Sequence, residues 1–525
     1  MRSPEPMPSF HEHLVAGYGF ADGAVTLGAA LQGATLHPAP MVRVPLAMMN
    51  RHGLIAGATG TGKTKTLQLI AEQLSLAGVP VFVADMKGDL AGLAAAGSAS
   101  PRVTERAASM GYAWTPQAFP LELVSLTGTG GAQLRATVSS FGPLLLAKVL
   151  GLNETQSSVL ALVFKYCDDR GLPLLDFKDL RAVLQFLGSD AGKAELAAYG
   201  GMSPATVGVL LRRMVELEQQ GADRFFGEPE FDVRDLLFVT REGKGMITCL
   251  ELSDVQDRPK LFSTFMMWLL AELFQALPEA GDLDKPKLVF FFDEAHLLFD
   301  DASKAFLDQV QRVVRLIRSK GVGVYFVTQT PKDVPEEILA QLGNRVQHAL
   351  RAHTPDDEKA LRATVRTFPK TAFYDLEETL TSLGIGEAVV TVLDPKGAPT
   401  PVVATRLVPP MSRMGPLTPE EIRRELAESD LLREYGTPVD RESAHEILAK
   451  RVAAAAPPAE PVPGRAPAPA PAEHTGTAGR VAKGIGAAVL TALGSSAART
   501  IGRELVRGMF GMLGAKQPRR TTRRR

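Results

Sequence analysis

Apolar residues along this chain keep two rhythms. Short apolar runs at 54–56, 79–84, 246–250, 288–292 and 323–327 read as strands, and the all-large run 288–292 reads as one buried on both faces of a sheet. Between them, apolar positions recur at three- and four-residue steps, which predicts helices over 66–76, 261–274 and 303–320. Strands alternating with helices predict an α/β fold on a largely parallel sheet. Shorter strand patterns at 24–27 and 41–44 lead into the first run, and 345–351 and 387–393 complete the sheet. From about Gln133 to Asp235 helical periods take over, at 144–150, 156–166, 177–186 and 206–218. A helical insertion therefore separates early from late strands of one sheet.

The turn after the first run reads Gly57-Ala58-Thr59-Gly60-Thr61-Gly62-Lys63-Thr64. It fits the phosphate-binding pattern G-x-x-x-x-G-K-[ST] in the strand–loop–helix setting that the pattern requires. Its glycines let successive backbone N–H groups face phosphate oxygens, and the helix N-terminus adds partial positive charge. Lys63 is expected to reach the β- and γ-phosphates and Thr64 to ligate Mg²⁺, with Lys65 closing the nucleotide-binding stretch. ATP and Mg²⁺ are the expected ligands. The alternative is a glycine-rich turn that matches by chance, and the flanking pattern argues against it.

Later strand ends add acids. The run 288–292 ends in Asp293-Glu294, followed by Ala295-His296. This has the form of a Walker B acid with a catalytic glutamate: Asp293 holds the magnesium water shell, and Glu294 polarises the attacking water. A helix N-cap would also place Asp there. The run 79–84 ends in Asp85-Met86-Lys87-Gly88-Asp89. At the carboxyl end of a neighbouring strand, Asp85 either acts on the nucleotide–Mg²⁺ site or starts the next loop; Asp89 reads as a loop residue. Gln329, at the tip of the strand 323–327, is the candidate to sense the γ-phosphate or place the water, with a polar loop start as the alternative.

Composition changes the picture only at the C-terminus. With 45% hydrophobic and 22% charged residues the chain is ordinary for a soluble globular protein, and its zero formal net charge says nothing of a polyanionic partner. From Arg480 to Arg525, however, eleven Lys or Arg face the single Glu504, a net of +10 that leaves −10 on the residues before it. This Gly- and Ala-rich tail follows an Ala/Pro-rich linker, 453–479. Its terminal arginines suit phosphate contact with nucleic acid, an anionic lipid surface, or solubility alone. No aromatic residue interleaves them, so base stacking is not implied. Cys167 and Cys249 give no disulfide framework or metal spacing. No secretion-like start or apolar run of about 20 residues is present, so a cytoplasmic location is expected.

Three stretches resemble the HerA/FtsK superfamily of hexameric motor ATPases: Arg51-His52-Gly53-Leu54-Ile55-Ala56 running into the loop 57–64, Phe292-Asp293-Glu294-Ala295-His296, and the strand ending in Thr328-Gln329. The stretches 221–229 (GADRFFGEP) and Gly384-Ile385-Gly386-Glu387-Ala388 look like the bacterial YjgR-like proteins, which carry a HerA-like helicase C-terminal domain. This resemblance covers about residues 15–410. It implies a RecA-like core, a hexameric ring with nucleotide at subunit interfaces, and ATP-driven movement on double-stranded DNA. It also implies an arginine supplied by the adjacent subunit to stabilise transition-state charge. Arg315 and Arg318 match the family's basic run before the sensor strand, although Lys320 is displaced by one place, and Arg51 matches a second family arginine. For all three the alternative is a helix-surface or linker cation. HerA proteins proper have an N-terminal β-barrel that docks a nuclease; residues 1–50 are too few for one, so a nuclease partner is not expected.

The expected organisation is a short N-terminal β segment (1–50) and a RecA-like ATPase core in two parts (51–132 and 236–410) around the helical insertion (133–235). A C-terminal helical segment (411–452), the linker (453–479) and the basic tail (480–525) follow. The expected function is ATP hydrolysis by a DNA translocase or helicase-like motor. Two other classes stay open: a regulatory ATPase acting on a protein partner without nucleic-acid work, and a nucleotide-binding scaffold held at a membrane surface by 480–525. Asp293-Glu294, Gln329 and the helical insertion argue against a small-molecule kinase.

Overall fold

The computed structural model describes residues 9–20, 23–299 and 304–455, so the tail 480–525 and all but the start of the linker 453–479 lie outside the described residues. Twelve described strands join in one sheet: β1 (Ala24–Gln32), β2 (Thr35–Pro45), β3 (Gly53–Ala56), β4 (Val81–Asp85), β5 (Leu121–Ser125), β6 (Ala132–Gln133), β7 (Ile247–Glu251), β8 (Leu288–Phe292), β9 (Val322–Thr328), β10 (Asn344–His348), β11 (Glu387–Thr391) and β12 (Val403–Leu407). Their order across the sheet is β2-β1-β12-β11-β10-β3-β9-β8-β4-β7-β5-β6. From β10 to β6 every neighbouring pair is parallel. From β10 to β2 every pair is antiparallel.

The unbroken apolar runs are central because both faces of the sheet are covered. Phe82, Phe290, Phe292 and Phe326 point into one core, shared with the helices Val138–Val149, Pro259–Ala276 and Lys304–Ile317. Val83, Phe291, Tyr325 and Val327 point into the other, against Leu67, Ile70 and Leu74 of the helix Lys63–Leu76. Alternate residues of one strand thus serve opposite cores. No described helix is long and apolar enough to cross a membrane.

Several elements differ from the sequence pattern, each for a physical reason. β5 was not predicted because Glu122 interrupts its apolar run; the side chain is buried, and accepts a hydrogen bond from the Asp430 backbone N–H at 3.1 Å. β12 was hidden by Thr405 and Arg406, and Arg406 pairs with Glu387 of β11. The N-terminal strands, longer than their patterns, extend this same sheet through β1 and β12. That pairing needs Gly28, where a Cβ would lie 2.0 Å from the Arg406 carbonyl oxygen. The C-terminal helical segment expected within 411–452 is three helices, Pro419–Glu428, Asp430–Tyr435 and Ala444–Ala455. Ser429 caps the second, and Gly436-Thr437-Pro438 ends it.

A buried carboxylate ties the chain after β12 to the helix behind the phosphate loop. Glu72 accepts the backbone N–H groups of Met411 at 2.7 Å and Ser412 at 2.9 Å, and Gln68 donates to the Arg413 carbonyl at 2.8 Å. Burial pushes the Glu72 pKa up to about 7, against the pull of these donors. We expect Glu72→Ala, which orphans two buried N–H groups, to destabilise the fold by about 2–5 kcal/mol in equilibrium urea unfolding. Glu72→Gln, which keeps one acceptor oxygen, should cost clearly less; equal midpoints for the wild type and Glu72→Ala would refute this clamp.

Candidate active site

Parallel pairing brings four strand ends to one edge in the order β3, β9, β8, β4, so the residues that follow them are neighbours. Hydrogen bonds fix the register of these loops: Gly57 N–H to the Thr328 carbonyl at 3.2 Å, Asp293 N–H to Ala84 at 3.2 Å, and Ala295 N–H to Val327 at 2.8 Å. The phosphate loop then turns into the helix Lys63–Leu76 through Gly62, whose φ of 114° is left-handed. Lys63 is buried, its Nζ donating to the Ala58 carbonyl at 3.3 Å. Burial lowers its pKa, opposed by the nearby charges of Glu294 and Asp293. Thr64 lies partly exposed on the first turn of that helix, and Lys65 pairs with Asp89 at 3.6 Å.

Asp293 and Glu294 are both buried beside this loop. Asp293 Oδ1 accepts the Glu294 N–H at 3.0 Å, while Oδ2 is buried without a hydrogen-bond partner. Burial, then the charges of Glu294 and Asp85, push the Asp293 pKa up to about 7. An unpartnered buried carboxylate oxygen facing a phosphate loop fits a hard cation such as Mg²⁺, which takes oxygen ligands. Glu294 adopts a left-handed φ of 48° and forms an ion pair with Lys87 through Oε1. Its Oε2 stands 3.3 Å from His296 Nδ1 without hydrogen-bonding geometry, and both atoms are otherwise unpartnered. Burial would raise the Glu294 pKa, but Lys87, Lys63 and His296 together hold it below the usual value.

At Asp85 the carboxylate works as a loop cap, accepting the N–H groups of Lys87 at 3.0 Å, Gly88 at 2.9 Å and Leu90 at 2.8 Å. It still offers an oxygen within 4.8 Å of ligand atoms of Asp89 and Asp293. Gln329 is exposed at the tip of β9, between the phosphate loop and Asp293 in the strand order. The arginines are elsewhere. Arg51 precedes β3, while Arg315 and Arg318 precede β9, so all three sit at the opposite, amino-terminal edge of the sheet. The seven residues of β9 separate the two edges by roughly 23 Å. Arg315 and Arg318 are exposed; Arg51 and Arg318 lie close enough for Arg51 to lower the Arg318 pKa, after burial.

Two residues escaped the sequence reading. His348, at the end of β10, packs beneath the loop with Nε2 2.8 Å from Thr66 Oγ1, and burial pushes its pKa down to about 3, so it stays neutral. Lys87 was visible only as part of a polar strand end. Beside the loop, a cavity of about 300 Å³ is lined by Gly62, Lys65, Arg106, Ile385, Leu407 and Met414. Arg106 is held there by the Leu407 carbonyl at 2.8 Å and the Gly386 carbonyl at 2.5 Å. A larger cavity of about 620 Å³, lined by Leu46, Pro80, Leu237 and Lys285, opens at the far edge and contains none of these groups.

The family model described as Helicase HerA-like C-terminal matches residues 33–519, continuing past 410, where the sequence reading ended the resemblance. The DNA double-strand break repair helicase HerA of Sulfurisphaera tokodaii is 23% identical over 383 residues, 71% of this chain and 67% of that protein. Its counterpart in Saccharolobus solfataricus is 24% identical over 169 residues, 32% of this chain and 33% of that one. The chain thus spans from a third to two thirds of the length of these relatives. Among solved structures, the bacterial conjugative coupling protein TrwB is 16% identical with a TM-score of 0.46, over 77% of this chain and 100% of that one.

A Cβ at Gly57 would stand 2.4 Å from His348 Cβ, an atom fixed by the backbone of β10. Gly57→Ala is therefore expected to displace the loop and weaken ATP binding by about tenfold or more in a fluorescent-nucleotide titration. Unchanged affinity would show that the loop can be reshaped freely.

Proposed function

The chain belongs to the HerA-like helicase C-terminal family of P-loop ATPases, and from that premise we propose that it hydrolyses ATP at the subunit interfaces of a homo-oligomeric ring and works as a DNA translocase or helicase-like motor. The observation that carries this reading is the meeting of Lys63, Asp293 and Glu294 at one strand edge, with Asp293 Oδ2 buried and unpartnered.

The loop 57–65 cradles the phosphates with its backbone N–H groups, and Lys63 neutralises the β- and γ-phosphates. Thr64 and Asp293 hold Mg²⁺, which when bound offsets the charge that develops on the phosphate oxygens. Glu294 orients a water for in-line attack. The water oxygen bonds to the γ-phosphorus as the bridging bond to the β-phosphate breaks; ADP leaves, and Glu294 holds the water's proton. Gln329, at the tip between the two halves of the site, places that water or senses the γ-phosphate. The cavity beside Arg106 receives the nucleoside. Asp85 contributes by shaping the loop that carries Lys87 rather than by touching nucleotide.

The position of Arg51, Arg315 and Arg318 supports ring assembly. They lie at the sheet edge opposite their own phosphate loop, where a neighbouring subunit's loop can meet them. A hexamer working on double-stranded DNA in the cytoplasm is the form of this proposal that the family suggests, with the basic tail as a further contact for an anionic surface.

Glu294→Gln should bind ATP normally but turn it over about 100-fold or more slowly. Turnover of the full chain with and without duplex DNA, alongside particle size by light scattering, tests the rest. DNA-stimulated hydrolysis in a ring-sized particle is expected. A ring whose turnover ignores DNA would overturn the motor and favour a regulatory ATPase acting on a protein, and undiminished hydrolysis by Glu294→Gln would overturn the site.

A further inference from the structure

The ion pair between Lys87 and Glu294 is the feature that ATP hydrolysis, as argued above, does not use. Its two ends are unlike. Glu294 is buried with a side chain 7% exposed, whereas the Lys87 side chain is 50% exposed on a four-carbon stem, anchored by a loop whose backbone Asp85 pins at three N–H groups. A carboxylate clasped by an ammonium cannot give the same lone pair to a water. The other oxygen, Oε2, is buried against His296 Nδ1 at 3.3 Å, so presenting Oε1 to a water requires the ammonium to be drawn away.

The surroundings name what that is. Lys87 lies close enough to Lys63 for each to feel the same acids, Asp293 and Glu294, and for Lys87 to depress Lys63. A γ-phosphate seated on Lys63 would bring about two negative charges into this group, within reach of a half-exposed lysine and more strongly charged than one carboxylate. Asp89 also acts on Lys87, but its Oδ2 pairs with Lys65 at 3.6 Å, and Asp85 is engaged as a loop cap.

We propose that Lys87 is a second phosphate-binding lysine whose ammonium passes from Glu294 to the γ-phosphate when ATP occupies the loop, freeing the glutamate for the attacking water. ADP has no γ-phosphate and leaves the ion pair closed. The inference rests on the ATPase reading above, and it makes Lys87 the group that couples the presence of the third phosphate to the release of Glu294.

The test compares affinities for a non-hydrolysable ATP analogue and for ADP in the wild type, Lys87→Met, Lys87→Arg, Glu294→Gln and the double variant, with thermal melting to confirm folding. Lys87→Met should weaken the ATP analogue about tenfold while leaving ADP unchanged, and lower kcat about tenfold or more; Lys87→Arg should recover part of both. In the Glu294→Gln background the loss caused by Lys87→Met should persist or grow, because the ammonium acts on phosphate directly. If that loss vanishes in the Glu294→Gln background, Lys87 only neutralises Glu294, and the proposal fails. It fails equally if the ratio of ATP-analogue to ADP affinity is the same in wild type and Lys87→Met. Lys63→Ala serves as the control: retained ATP binding there would overturn the ATPase reading itself, whereas lost binding there with an inert Lys87→Met overturns only this inference.

Discussion

Parallel pairing of β3, β9, β8 and β4 is the constraint on which the rest of the structure depends. Antiparallel neighbours would send successive strand ends to opposite edges; parallel ones deliver every carboxyl end to the same edge. Here that places a lysine-bearing loop, an exposed glutamine, two buried acids and a capped acidic turn side by side, although they come from distant parts of the chain. The requirement that such a sheet be covered on both faces explains the helices around it, including the insertion whose helices pack with Phe82, Phe290 and Phe292.

The edge so formed concentrates charge in a place that water reaches poorly. Lys63, Asp293 and Glu294 are all buried, and Lys87 closes the group from outside. Lys63 and Lys87 oppose Asp293 and Glu294, which helps such burial to be tolerated, while the buried Asp85 adds a further acid beside Asp293. The balance is local rather than pairwise: Glu294 is claimed by Lys87, while Asp293 keeps one oxygen free and has its pKa raised. That asymmetry suits the two acids to the different tasks proposed for them, a cation ligand and a water-orienting base.

How much of this was legible in the sequence depended on the range of the interactions involved. The phosphate loop and the acids after β8 are short-range patterns, and their residues could be assigned in order along the chain. β5 and β12 could not, because Glu122 and Arg406 are polar residues whose partners, Asp430 and Glu387, are supplied by other elements. Lys87 pairs with Glu294 across 207 positions, and Thr66 meets His348 across 282. No periodicity records such meetings. Asp85 shows how a strand-end position leaves two roles open: its hydrogen bonds engage it with its own loop, while an oxygen still lies within 4.8 Å of ligand atoms of Asp89 and Asp293.

The arginines show where a single chain stops being a sufficient frame. Arg51 and Arg318 crowd together at the amino-terminal edge, each a cation beside another cation, with His52 buried between them and the strand β9. The Asp282 carboxylate offsets part of this crowding at Arg318, and the sheet separates the pair from its own phosphate loop. An anionic group brought from outside would relieve it, and a nucleotide held by the facing edge of an identical subunit is such a group. The same parallel pairing that gathers one half of the proposed site at one edge leaves these cations at the other, and the ring proposed above would join the two head to tail.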